Sequence, residues 1–165
     1  MVTHTVIDSP IGPLTLVGDG SALTAIYMQE HRHQPDAATF GARDPHGFEA
    51  ATAQLAEYFA GERTEFELQL EPHGTEFQRA IWQLLTRIPY GETWSYLHLA
   101  EQYGDVLAIR AAAAANGRNP LSIVVPCHRV IGSDGSLTGY GGGLARKRFL
   151  LDLETPVERR APALF

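Results

Sequence analysis

Cysteine is nearly absent from this chain: Cys127 is the only one among 165 residues. That excludes an internal disulfide and a multi-cysteine zinc site, and it fits a reducing, cytoplasmic setting. Charge is scarce as well, at 19% against 44% apolar residues, which excludes an intrinsically disordered chain. No apolar run approaches the roughly 20 residues of a membrane-spanning helix. The opening Met1-Val2-Thr3-His4-Thr5 has no basic segment followed by an apolar one, so no secretory signal is expected. Internal repeats are lacking. The Gly139-Tyr140-Gly141-Gly142-Gly143 run lacks the Lys-Ser/Thr of a phosphate loop. What remains is enough chain for one ordinary domain or two small ones.

A net charge of −6 argues against nucleic-acid binding on its face. The charge is unevenly spread, however. Residues 74–154 carry eight basic and seven acidic side chains, a net of +1, which leaves −7 for the rest. Between Arg110 and Arg148 there are six basic residues against Asp134 alone. This stretch reads either as a polyanion footprint or as a solvated basic face.

The first 70 residues read as mixed α/β. Val2–Ile7, Leu14–Val17 and Leu23–Tyr27 are strands, with turns at Ser9–Pro13 and Gly18–Gly20. His31–His46 is polar and reads as an irregular loop. Phe48–Ala60 is a helix with Ala51, Leu55, Tyr58 and Phe59 on one face. Phe66, Leu68 and Leu70 alternate with polar residues, which predicts a fourth, half-buried strand of an antiparallel sheet. Glu71–Gly74 reads as a linker, dividing a domain of residues 1–71 from one of 72–165.

Beyond the linker the period becomes helical. Thr75-x-x-Gln78 has capping-box spacing ahead of Phe77, Ile81, Trp82, Leu84, Leu85 and Ile88. Ser95 caps a short helix ending at Gly104, and Asp105 caps another, Leu107–Asn116. Two short helices about a tight glycine turn are a helix-turn-helix candidate. The second bears Arg110 and five alanines, Ala111 to Ala115, which suit either close helix packing or close approach to a nucleic-acid groove. Ser122–Val125 reads as an extended apolar run leading to Pro126-Cys127-His128-Arg129. Leu144–Glu154 is the last helix, and Thr155–Phe165 reads as a loosely attached tail.

A lone cysteine is commonly a small buried hydrophobe. Here a neighbouring imidazole can take its proton, directly or through water, and so supply the thiolate that a free thiol lacks at neutral pH. Adjacent side chains in an extended segment point apart, so Cys127 and His128 cooperate only if the chain turns at Pro126-Cys127 or a water links them. The base needs an orienting carboxylate, with Glu154, Glu92 and Asp134 as candidates. His31 and His33 read as exposed loop residues, and His4, His46, His73 and His98 carry no pattern. No metal site and no cofactor are expected.

Pro126-Cys127-His128-Arg129-Val130-Ile131, with Asn119-Pro120 before it and Gly139–Leu144 after it, resembles the O6-alkylguanine-DNA alkyltransferase family. Ile88-Pro89-Tyr90-Gly91-Glu92-Thr93-x-Ser95-Tyr96 and Ser9-Pro10-Ile11-Gly12 match the same family, so the likeness runs from about residue 5 to Glu154. The resemblance implies an α+β protein. A small N-terminal ribonuclease-H-like α/β domain would precede a C-terminal winged-helix, helix-turn-helix domain carrying the site. It implies direct repair of duplex DNA: O6-alkylguanine is flipped from the stack, because O6 is otherwise out of reach, and its alkyl group passes irreversibly to a cysteine.

By the same resemblance Cys127 is the acceptor, His128 the base acting through water, and Glu154 the carboxylate that orients it. Asn119 braces the turn before the active-site strand. Tyr96 stands near the guanine and its 3′ phosphate, placed to supply a proton. Arg110 fills the gap left by the flipped nucleotide. Ala111 and Ala113 let the recognition helix enter the minor groove. Val130 and Gly141 contact the flipped base, while Tyr140 and Lys147 line the alkyl pocket. A free monomer is implied, with cooperative contacts between copies on DNA as a further hypothesis. Ile109, Trp94 and the Ala112-Ala113 pair depart from the family pattern at positions bearing on DNA affinity. Two other readings are a non-catalytic lesion-binding protein and a cysteine-dependent hydrolase. Retention of Cys127 with His128 and Glu154 argues against the first, and Arg110 on a helix-turn-helix against the second.

Overall fold

A computed structural model describes residues 1–156. The tail expected to be loosely attached lies, from residue 157 onward, outside the described residues. Strands β1 (Thr3–Ile7), β2 (Leu14–Gly18) and β3 (Leu23–Met28) form an antiparallel meander. The β2–β3 turn is held by Asp19, whose carboxylate accepts hydrogen bonds from the Ser21 and Ala22 amides. Leu14, Leu16, Ile26 and Met28 alternate onto one face of the sheet, where Ala51, Leu55 and Tyr58 of α1 (Glu49–Phe59) join the same core.

Two expectations for this half are corrected. The fourth strand is β4 (Ala42–Arg43), which pairs parallel with β1 at the sheet edge, so the order is β3-β2-β1-β4. It comes from the segment expected to be irregular. Asp36 caps a 3₁₀ turn, Ala37–Phe40, and Phe40 stacks on Tyr27 at 5.5 Å between centroids, covering the second face of the sheet. One buried phenylalanine supplies the anchor that the polar composition obscured. The Phe66–Leu70 alternation is real in burial, but the segment builds no ladder. The Gln54 side chain takes both backbone groups of Glu67, and only Leu70 bridges to Leu23.

In the second half, α2 (Glu76–Leu85) starts at the capping box, with Thr75 and Gln78 exchanging both hydrogen bonds. The helix-turn-helix is α3 (Tyr96–Tyr103) and α4 (Ile109–Gly117). Gly104 turns the chain between them at φ +102°, a conformation side chains resist. Asp105 caps a short 3₁₀ turn, Val106–Ala108, ahead of α4 rather than α4 itself. The alanine run divides by face. Ala112 and Ala115 are buried against α2 and α3, while Ala111 and Ala114 are exposed. The Trp82 indole donates to the Ala115 carbonyl at 2.8 Å and locks α4 onto α2. A two-strand parallel ribbon, β5 (Trp94–Ser95) with β6 (Val130–Ile131), and α5 (Leu144–Glu154) complete the unit.

The two halves share one contiguous core. The Ile26 amide donates to Pro120 O, and Arg146 donates to Ile11 O and Gln29 O across the junction.

Removing the Trp82 indole bond while keeping an aromatic ring tests how α4 is seated. Trp82→Phe is expected to cost about 1 kcal/mol, since Ala115 O keeps a second bond from Arg118 N. The denaturation midpoint should fall with an unchanged slope. An unchanged midpoint would show that apolar packing alone seats the helix.

Candidate functional site

Residues 121–125 form a tight turn, which corrects the extended run expected there. Asn119 closes it from both ends: its Oδ1 accepts from the Leu121 amide at 3.0 Å and its Nδ2 donates to Val125 O at 2.8 Å. Ile123 is held at φ +76°, a strained conformation for a β-branched residue. The side-chain amide replaces a strand ladder, so apolar content alone could not have revealed the turn. Cys127-His128-Arg129 then forms a 3₁₀ turn, so the chain does turn sharply after Pro126.

Cys127 and His128 are both buried. His128 Nε2 lies 2.7 Å from Glu154 Oε2 on α5. Arg129 grips the same carboxylate twice, Nε to Oε1 at 2.7 Å and Nη2 to Oε2 at 3.0 Å, and its Nη1 reaches Ile88 O. Tyr58, from α1 in the first half of the chain, donates its hydroxyl to Oε2 at 2.6 Å. Burial alone would raise the Glu154 carboxyl. The hydrogen bonds and charges of His128 and Arg129 outweigh it and hold the group at about 2. Burial in turn lowers His128 against the pull of Glu154, leaving the imidazole neutral. An ionised Glu154 must accept, so Nε2 carries the proton and Nδ1 carries the lone pair. Nδ1 is buried and has no hydrogen-bond partner in the protein, which leaves its lone pair open to a proton.

Burial pushes the Cys127 thiol up to about 11, against an Asn119 hydrogen bond and the nearby Lys147 charge. The resting sulfur is therefore protonated, and it needs a base to react. Asn116 Nδ2 points at the Cys127 carbonyl, 3.4 Å away.

An open cleft of about 580 Å³ lies between α4 and the glycine loop, with Tyr96, Ala113, Tyr140 and Gly141 on its walls. Val130 and Lys147 do not line it. Both are buried, and Lys147 Nζ donates to Val130 O at 2.7 Å and Thr138 O at 2.8 Å, tying the loop to β6. Burial lowers this lysine, the only one in the chain, to about 8. The Tyr96 hydroxyl donates to the same Thr138 carbonyl at 3.0 Å. Burial raises Tyr96, so it keeps its proton. Arg110 is exposed on the first turn of α4, beside exposed Ala111. Trp94 sits in β5, edge-on to His98.

His31 corrects another expectation. It is buried, accepts the Met28 amide through Nδ1, and abuts Gly141 so closely that any side chain there would overlap its ring. Burial, with the charges of Arg146 and His33, lowers it to about 4. Arg32 and His33 line the cleft with Arg118, residues no motif had pointed to. Tyr58 was legible only as a core residue, and Arg129 only as the last member of a tetrapeptide. Among the described residues no three of His, Cys, Asp and Glu gather as a metal site, and no helix is long and apolar enough to cross a membrane.

Comparison with known proteins covers both halves. Residues 2–72 match the ribonuclease-like domain of 6-O-methylguanine DNA methyltransferase, and residues 76–156 match its DNA binding domain. A methylated-DNA–protein-cysteine methyltransferase of Mycobacterium tuberculosis is 54% identical over 163 residues, 99% of this chain and 96% of the relative. The crystal structure of the Mycobacterium tuberculosis O6-methylguanine methyltransferase superposes with a TM-score of 0.87 at 55% identity, over 99% of this chain and 96% of that one. A structure of Mycobacterium tuberculosis OGT in complex with DNA gives a TM-score of 0.88 at 53% identity, over 92% of each chain.

Glu154→Gln removes the charge that neutralises buried Arg129 and is expected to cost about 3–5 kcal/mol near neutral pH. A depressed carboxyl stabilises the fold above its unfolded value of about 4.5 and loses that contribution as pH falls towards about 2. The gap in unfolding free energy between wild type and variant should therefore be full at pH 7 and close below about pH 4.5. A gap independent of pH would mean that the carboxylate is not ionised in the folded protein.

Proposed function

This chain belongs to the 6-O-methylguanine DNA methyltransferase family, and from that premise we propose the roles its residues take in the reaction. The protein is a methylated-DNA–protein-cysteine methyltransferase that binds DNA and repairs it by direct reversal. The observation that carries the assignment of roles is His128. Its Nε2 is fixed by ionised Glu154, and its buried Nδ1 is left as a lone-pair acceptor on the residue next in sequence to the only thiol in the chain.

His128 Nδ1 takes the Cys127 proton through a water. The thiolate attacks the alkyl carbon, a C–S bond forms, and the bond from that carbon to O6 breaks. The electron pair passes into the purine, which takes up a proton as guanine leaves. Tyr96 supplies it, a role supported by its protonated hydroxyl on the cleft wall. The products are S-alkylcysteine and guanine. The thioether is a poor leaving group, so each molecule acts once. Asn119 holds the turn that presents Cys127. Tyr140 and Gly141 receive the base at the cleft, with Val130 and Lys147 supporting the loop from within.

Arg110 enters the duplex to replace the flipped nucleotide, and the exposed alanines, Ala111 above all and half-buried Ala113 beside the cleft, let α4 lie in the minor groove. A boundary within Glu71–Gly74 fits the break between the two family matches. This reading carries a cytoplasmic location, supported by the DNA substrate and by the reducing setting that a thiol acceptor needs.

Incubation with a duplex carrying one O6-methylguanine should add about one methylene to the intact mass. The gain should reach at most one per molecule and be absent in Cys127→Ser. His128→Ala should slow the transfer by about 10²–10⁴-fold. Since burial lowers His128 below its usual 6.5, the rate should hold at mildly acid pH and fall only below that value. No mass gain with the duplex still bound would instead identify a lesion-binding protein.

A further inference from the structure

The Tyr58 hydroxyl has a place in this site that its position in the chain does not suggest. Tyr58 lies 96 residues before Glu154, on α1 of the ribonuclease-like half, and its side chain is fully buried. Phe59, Phe66 and Tyr90 hold its ring at centroid distances of 5.3, 5.5 and 6.3 Å. A phenylalanine would fill this cage equally well. The hydroxyl instead crosses the junction between the halves and meets Glu154 Oε2 at 2.6 Å, the oxygen that also receives His128 Nε2. Oε1 takes one donor, Arg129 Nε, whereas Oε2 takes three: Arg129 Nη2, His128 Nε2 and Tyr58 Oη.

We propose that Tyr58 is a positioning residue for alkyl transfer: its hydroxyl fixes Glu154 Oε2 and shares its negative charge, and so sets how strongly His128 holds a proton. This rests on the reading of His128 as the base. The ionisable groups around the pair come from every packed element: Cys127 and Arg129 from the 3₁₀ turn, Lys147 from α5, Tyr140 from the glycine loop, Tyr90 from the loop after α2, and Tyr58 from α1. Of these only Tyr58 belongs to the first half. Burial and the adjacent carboxylate raise its phenol far above the ordinary value, so it acts as a donor and not as an acid. Through this bond, docking of the N-terminal half becomes a condition for a correctly tuned base. Without the bond, negative charge concentrates on the oxygen facing His128, imidazolium is better stabilised, and the base is lost to protonation at higher pH.

Methyl transfer from a duplex with one O6-methylguanine, followed by intact mass under single-turnover conditions, separates two quantities. The final extent counts competent molecules, and the rate against pH reports the base. Tyr58→Phe is expected to reach the wild-type extent with the acid limb of its rate profile moved up by about one pH unit. Tyr58→3-fluorotyrosine, a stronger donor of nearly the same volume, is expected to move it down. Limbs that coincide with wild type in both variants, or a rate lowered by one factor at every pH, would overturn the proposal and leave Tyr58 as packing. If Tyr58→Phe does not fold, the direction of the fluorotyrosine shift decides. Wild-type protein that gains no mass would instead remove the acceptor reading, and the proposal with it.

Discussion

One buried carboxylate organises this molecule. Glu154 ends α5, and its two oxygens collect a tyrosine from α1 and a histidine and arginine from the 3₁₀ turn that follows the helix-turn-helix. A carboxylate withdrawn from water is costly unless donors replace the lost hydration. Here the donors come from parts of the chain far apart in sequence, so satisfying the charge requires the whole fold. The same requirement settles the tautomer of His128. With one ring nitrogen committed to an ionised oxygen, the other can only accept.

That arrangement reconciles a protected nucleophile with a reactive one. Burial pushes the Cys127 thiol up to about 11, well above the range of reactive cysteines. Oxidants and stray electrophiles attack thiolates, so a protein that acts once gains from keeping its sulfur protonated until substrate arrives. In the proposed mechanism reactivity then depends on His128, whose neutral form burial favours. The strained turn at Ile123, closed by Asn119, sets the sulfur at the end of a rigid segment rather than a loose loop.

The surface of α4 follows a different rule, that of size. In α4 the buried alanines let α2 and α3 pack closely, and the exposed ones leave a low surface around Arg110. The packing reading of the alanine run thus holds for the buried face, and the proposed approach to a groove would use the exposed one. An acidic protein carries a basic patch here because Arg110 and Arg118 lie on or next to this helix, and because Arg32 of the first half lines the neighbouring cleft with Arg118.

Much of this was legible in the chain. The capping box at Thr75-Gln78, the glycine turn at Gly104 and the first three strands follow from local rules of hydrogen bonding and periodicity, and they formed where those rules put them. The Pro-Cys-His-Arg segment likewise marked the thiol and the imidazole, whereas spacing left the carboxylate open among Glu154, Glu92 and Asp134, and only the family resemblance pointed to Glu154. What the chain could not declare were contacts between distant residues. Phe66–Leu70 alternates like a strand, yet its backbone is taken up by Gln54. His31 sits in a polar stretch, yet it is buried against Gly141. Tyr58 reads as core, yet its hydroxyl ends on Glu154. Sequence by itself determined which residue types are available for the chemistry and where α2 and α3 begin, because caps, turns and periodicity act within a few residues. Only the tertiary structure decided which partners share the buried carboxylate, because a charge out of water is satisfied by whatever donors the fold brings to it.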